Sequence, residues 1–257
     1  ILRRLARWSL TGKLWDPMLV DELRRRFEGA SPQQVAAAAQ ALTEARIVSL
    51  TAHWVEKTGL SRVCLAGGVF ANVKLNQRVR DLPGVDDVYI HPNMGDGGLA
   101  AGSALALHAR GSPVQPERLD NVYFGADLTG GEIRAELWRQ NLHFVHCANV
   151  EATIAALLAE GKVVARVNGK MEYGPRALGN RSILYQATDV TVNKWLNKRL
   201  KRTEFMPFAP AILRKRTGAY YEGYPSSEYA AEFMTMTYDA TTRCKREAPA
   251  IVHVDGT

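Results

Sequence analysis

Hydrophobic and polar positions divide the chain into a helical opening and a longer stretch of strands alternating with helices. Leu2, Leu5 and Trp8 recur at helical spacing. Asp16-Pro17 and Ser31-Pro32 each read as a helix start, with proline in the first turn. The second opens an Ala-rich run that reaches about Lys57 and stops at Gly59. The pattern then shortens. Residues 62–65 predict a strand, 66–69 a tight turn and 70–81 a helix; 87–90 predict a strand, 91–98 a polar loop and 99–109 a helix rich in Ala, Gly and Leu. Two strand–glycine loop–helix units in succession indicate an α/β layout.

The stretch 109–117, Ala-Arg-Gly-Ser-Pro-Val-Gln-Pro-Glu, reads as a linker and places a domain boundary at 112/113. Beyond it the pattern predicts helices at 130–141 and 150–160, with a strand at 142–145 between them. The run Val163-Val164-Ala165 reads as a buried strand and 182–185 as its return strand. A helix follows at 188–202, with Thr188 or Asp189 as N-cap. Residues 208–213 read as extended and 214–220 as a helical turn. Residues 221–249 read as loop-rich with one strand near 232–237, and 251–257 as the start of a strand. There is no internal repeat.

Composition adds three constraints. No apolar run approaches the roughly 20 residues a membrane helix needs. Nor does a secretory signal open the chain, and its first residue is not Met, so it reads as a piece of something longer. Cys64, Cys147 and Cys244 are odd in number and form no CxxC pair, which argues against a disulfide framework, fits a reducing cytoplasm and casts each as a small buried hydrophobe. The net charge of +7 is not evenly spread. Residues 163–216 carry twelve Lys/Arg against three Asp/Glu, so this window is more basic than the whole chain.

That excess centres on residues 166–184. Gly169, Gly174, Pro175 and Gly179 punctuate a loop that carries or borders Arg166, Lys170, Arg176 and Arg181. Glycine lets a backbone approach a ligand, and the guanidinium fork matches phosphate or carboxylate oxygens. The plain alternative is a solvated basic loop. Against it, Met171, Tyr173 and Leu178 interleave the cations, and Glu172 is the only acid from 163 to 188. The stretch therefore reads as an anion site for a phosphate compound. Other candidates are weaker alone. Gly67-Gly68-Val69 between a strand and a helix could meet a phosphate or be a simple turn. Asp96, ahead of a helix, reads most simply as an N-cap. The helix at 188–202 pairs an apolar stripe (Val192, Trp195, Leu196, Leu200) with a basic one (Lys194, Lys198, Lys201), either a solvated face or a nucleic-acid surface. No two of the six histidines are spaced i, i+4.

Residues 169–184, Gly-Lys-Met-Glu-Tyr-Gly-Pro-Arg-Ala-Leu-Gly-Asn-Arg-Ser-Ile-Leu, resemble the signature of the NodU-type O-carbamoyltransferases. The resemblance covers nearly the whole chain. It implies that residues 1–112 are the carboxy-terminal half of a Kae1-like domain, the second lobe of an actin/hexokinase/Hsp70-like fold. It implies that residues 113–257 are the amino-terminal part of a YrdC-like α/β domain. The implied chemistry activates carbamoyl phosphate with ATP as carbamoyl adenylate, then passes the carbamoyl group to a hydroxyl of a small-molecule acceptor. The implied catalytic residues are Lys170 and Arg176, with Arg166, Glu172, Asn180, Arg181, Arg199 and Arg202 binding substrate. Gly67, Gly68, Val69 and Asn72 would meet the nucleotide with its magnesium. Asp96 would ligate a divalent metal, usually iron, whose other ligands are not in this chain. Met206 and Thr203 depart from the family's usual Arg and Glu, so no anion contact is assigned at Met206. Alternatives are a threonylcarbamoyl (tRNA) or hydrogenase-maturation relative, or a non-catalytic basic module that binds nucleic acid. No membrane partner is expected.

Overall fold

A computed structural model describes residues 17–113, 115, 117–201, 208–224 and 227–257. The chain divides into two units, residues 1–50 and 51–257. In the first, helix α1 (Pro17–Arg26) closes its last turn with Arg24, Arg25 and Arg26. Glu22 pairs with Arg25 and, at 2.7 Å, with Arg26, the i,i+3 and i,i+4 spacings that face each other on a helix. Helix α2 (Pro32–Thr58) begins in the first unit and ends in the second, its backbone ladder stopped by Gly59, whose φ of 68° suits only glycine at low cost. The expected helix at Leu2, Leu5 and Trp8 lies outside the described residues.

The second unit is mixed α/β. Strand β1 (Arg62–Leu65), a 3₁₀ turn (Gly68–Ala71), helix α3 (Val73–Arg80) and strand β2 (Asp87–Ile90) make a parallel βαβ crossover, with Leu65 opposite Ile90. A second 3₁₀ turn (Asp96–Gly98) leads into α4 (Leu99–Gly111). Leu65, Leu75, Val79, Val88, Ile90 and Met94 are the buried apolar side chains of this stretch.

Helices α5 (Gly130–Arg139) and α6 (Val150–Ala159) follow. Thr129 and Glu132 form a reciprocal capping box on α5. The expected strand at 142–145 is absent: the segment has no partner strand, Val145 is 80% exposed, and a lone extended segment has no ladder to join. Strand β3 (Val164–Val167) pairs antiparallel with β4 (Arg181–Leu184), Val167 opposite Arg181. Val167 is exposed, so β3 is half-covered rather than buried.

Helix α7 (Val192–Arg199) starts later than expected, with Thr191 as its N-cap. Asp189 lies just outside, accepting from the Thr191 hydroxyl at 2.6 Å, Trp195 Nε1 at 3.1 Å and the Thr191 amide at 2.9 Å. Those donors hold its carboxyl down at about 2. Val192 and Leu196 pack with Ala250, Val163, Tyr185, Trp195 and Phe208. Helices α8 (Thr217–Tyr220), α9 (Glu228–Ala231) and α10 (Thr242–Glu247) complete the chain.

The strand expected near 232–237 is instead the turn that follows α9 and an irregular segment. Its carbonyls are taken by side chains of α3: Asn76 Nδ2 donates to Thr235 O at 2.7 Å and Arg80 to Thr237 O at 3.1 Å. A backbone spent on side chains has no ladder to offer. The strand expected at 251–257 is a 3₁₀ turn (Pro249–Ile251) and a loop around Asp255, which accepts from Thr257 Oγ1 and pairs with Lys74 at 3.1 Å. Only Cys244 of the three cysteines is buried; Cys64 is exposed on its strand. No helix among the described residues is long and apolar enough to cross a membrane.

Candidate anion loop and its neighbours

The β3–β4 hairpin presents residues 168–180 as one loop, closed at its base by Asn168 N donating to Asn180 O at 3.0 Å. The loop is organised by Glu172, which is 8% exposed. Its Oε1 accepts from three backbone amides, Leu178 at 2.8 Å, Asn180 at 2.7 Å and Arg181 at 3.1 Å. Burial pushes this carboxyl up, but the amide hydrogen bonds outweigh it and hold it below its ordinary value. Tyr123 pairs with Glu172 through a backbone bridge and donates its hydroxyl to Leu178 O at 2.8 Å.

Two further expected site residues are loop supports. Arg181 donates to the carbonyls of Asn180 at 2.9 Å, Asn168 at 3.1 Å and Gly169 at 3.1 Å. Asn180 Nδ2 donates to Lys170 O at 2.8 Å. The guanidinium of Arg181 is thus committed to backbone oxygens, and the carboxylate of Glu172 to backbone nitrogens.

The other cations differ. Lys170 is exposed, and its ammonium has no hydrogen-bond or ion-pair partner among the described residues. Arg166 Nε is buried without a hydrogen-bond partner. Arg176 donates through Nη2 to Ala71 O at 2.9 Å, while its buried Nε finds no acceptor. Arg199 is exposed at the end of α7, and among the described residues no hydrogen bond or ion pair joins it to the loop. Arg202, Thr203 and Met206 lie outside the described residues.

The Arg176 contact ties the loop to the first glycine turn. Gly174, at φ 109°, lies so close to Pro92 that an added Cβ would sit 2.9 Å from the Pro92 carbonyl oxygen. The Tyr173 hydroxyl meets His91 Nε2 at 3.2 Å, and Tyr89 meets His91 Nδ1 at 3.4 Å. Burial pulls the His91 imidazole below its usual range. Three stretches distant in sequence, 67–72, 91–98 and 172–176, therefore meet. The sequence carried no signal for Tyr123 or His91 here, because each contact depends on a residue more than fifty positions away.

Within that junction Gly67 N donates to Met94 O at 2.7 Å, and Gly68 and Val69 begin the 3₁₀ turn. Asn72 Oδ1 caps α3 by accepting from Leu75 N at 3.1 Å. Asp96 is exposed at the start of the second 3₁₀ turn. Among the described residues no three His, Cys, Asp or Glu side chains gather to hold a metal ion, so Asp96 has no companion ligands there.

Two family models match this chain. That described as "Carbamoyltransferase N-terminus" matches residues 16–105, and "Carbamoyltransferase C-terminus" matches residues 155–257. The chain belongs to the carbamoyltransferase family. The C-terminus match contains the whole anion loop, and the N-terminus match contains both loops it touches. Curated relatives of this chain include Nodulation protein NolO of Bradyrhizobium diazoefficiens, 34% identical over 251 residues, covering 94% of this chain and 45% of the relative. Nodulation protein NolNO of Sinorhizobium fredii is 33% identical over 243 residues, 92% of this chain and 36% of the relative. Nodulation protein U of Azorhizobium caulinodans is 32% identical over 259 residues, 99% and 44%. The chain spans less than half the length of these relatives.

Proposed function

We propose that this chain is the part of an O-carbamoyltransferase that takes up carbamoyl phosphate and ATP, activates the carbamoyl group as carbamoyl adenylate and delivers it to a hydroxyl of a small-molecule acceptor. Within that reading, residues 1–112 are half of a Kae1-like domain and residues 113–257 part of a YrdC-like one. Forming carbamoyl adenylate from carbamoyl phosphate and ATP consumes one water and releases phosphate and pyrophosphate. The reactants are both polyanions, and placed cations reduce their mutual repulsion before the bond to the α-phosphorus forms.

One observation carries the proposal. The loop's single acid is satisfied by backbone amides rather than by the loop's cations, so Lys170 and Arg166 keep their charge for a ligand. Lys170 faces the carbamoyl phosphate. Arg176, held by Ala71 O, keeps its buried Nε without an acceptor at the junction of the loop and the first glycine turn, where the nucleotide with its magnesium would lie. Arg199 and Arg202 are reserve contacts for its phosphates. Asp96 is at most one ligand of a metal completed by residues beyond those described, and no step is drawn through that metal. A cytoplasmic setting belongs to the same proposal.

The test is pyrophosphate exchange into ATP by the full-length protein, with and without carbamoyl phosphate. Exchange should require carbamoyl phosphate, and Lys170→Ala should weaken its binding about tenfold or more with the melting temperature unchanged, since the ammonium contributes a charge-assisted contact and no internal bond. Exchange that ignores carbamoyl phosphate, or unchanged affinity in Lys170→Ala, would overturn the reading.

A further inference from the structure

Three amides of one loop, those of Leu178, Asn180 and Arg181, converge on a single point, and Glu172 Oε1 occupies it. Successive N–H groups turned toward one concavity make an anion pocket of the kind that takes a phosphate oxygen. Here the anion is part of the chain. The other side of the loop is closed by hydrogen bonds of opposite sense, with Arg181 donating to three carbonyls and Tyr123 to a fourth. Three of the loop's amides and four of its carbonyls are thus consumed internally, and the pocket's occupant is buried.

An acid placed among four cations would ordinarily pair with one of them. Glu172 makes no ion pair with Arg166, Lys170, Arg176 or Arg181. Its charge is balanced by amide dipoles, which have no net charge to give up, so the cations stay uncompensated.

We infer that Glu172 is a positioning residue that fills the loop's backbone anion pocket from within, so that the loop meets its phosphate substrate through side chains rather than through those three amides. The assignment of a phosphate substrate rests on the proposed function; the assignment of the pocket does not. Lys170 precedes Glu172 by two residues and Arg176 follows by four, and both take their positions from the turn that Glu172 closes.

The experiment uses the full-length protein with Glu172→Gln and Glu172→Ala. Truncation empties the pocket and leaves room for a one-carbon carboxylate. Formate at tens of millimolar should raise the melting temperature of Glu172→Ala above the effect of equal chloride, and leave the wild type unmoved. In calorimetry, Glu172→Ala should bind carbamoyl phosphate about tenfold more weakly, with formate restoring much of the loss, because charge-assisted bonds to three amides are replaced in trans. Tighter binding by Glu172→Ala, or a melting temperature indifferent to formate, would overturn the inference. If Glu172→Ala does not fold, Glu172→Gln decides: it keeps a neutral acceptor, and amide hydrogen exchange at Leu178, Asn180 and Arg181 should accelerate about tenfold over wild type. Unchanged exchange at all three would refute it. Should the wild type fail to bind carbamoyl phosphate while formate still steadies Glu172→Ala, the proposed function falls and the pocket assignment stands.

Discussion

Two glycine-rich loops, residues 91–98 after β2 and 168–180 after β3, are built from the same ingredients and use them oppositely. Each contains one glycine pressed against backbone, Gly98 on Asn93 and Gly174 on Pro92, and one carboxylate. In the second, Glu172 is buried and spends one oxygen on three amides. In the first, Asp96 is exposed, and its side chain has no hydrogen-bond partner among the described residues. An acid in a glycine loop can serve the chain or a ligand. Which it does depends on how many donors surround it, not on the residues beside it in sequence.

The comparison breaks most easily through the glycines of the first loop. A Cβ at Gly98 would fall on the carbonyl oxygen of Asn93, a backbone atom that cannot swing away. Gly98→Ala should therefore cost about 3 kcal/mol, the upper end of overpacking penalties. That corresponds to a melting temperature lower by roughly 6–12 °C for a chain of this size. Gly102, one turn on in α4, has nothing within 4 Å of its Cβ position. Gly102→Ala should gain about 0.5–1 kcal/mol from helix propensity alone. Equal effects at both positions in a thermal melt would mean that the 91–98 loop is not held against its own backbone.

Much of this contrast was hidden from the sequence, for a physical reason. The β3–β4 hairpin, the βαβ unit and the long helix ending at Gly59 were legible because periodicity and glycine placement are local. Residues 142–145 and 232–237 have strand composition yet form no strand, because a strand needs a partner's backbone; the first finds none, and the second gives its carbonyls to Asn76 and Arg80. The site divided along the same line. The clustering of Lys170, Arg166 and Arg176 around one glycine loop could be read from spacing. That Arg181, Asn180 and Glu172 support the loop could not, since it depends on where carbonyls and amides point after the chain has turned.

A smaller effect sharpens the division between cations that hold the loop and those left for a ligand. Arg181→Met keeps the aliphatic stem and removes hydrogen bonds to three carbonyls. These oxygens lie where water can reach them, so the loss should be about 1–2 kcal/mol, below the full value of buried charged bonds. Thermal unfolding would show a drop of roughly 2–8 °C. Lys170→Ala should show none. If the two variants melt alike, the assignment of Arg181 to structure and Lys170 to ligand loses its basis.

The smallest effect is expected at Asp96. Its carboxylate is exposed and makes no internal hydrogen bond among the described residues, so Asp96→Asn removes a charge without orphaning a donor. Surface changes of that kind shift stability by less than about 0.5 kcal/mol. The same near-isosteric exchange at Glu172 leaves three amides facing a weaker, neutral acceptor. A denaturant titration comparing Asp96→Asn with Glu172→Gln therefore reads the two loops against each other with identical chemistry. A clear stability loss at Glu172 and none at Asp96 is expected. Comparable stability losses at both would show that Asp96 also serves its own loop.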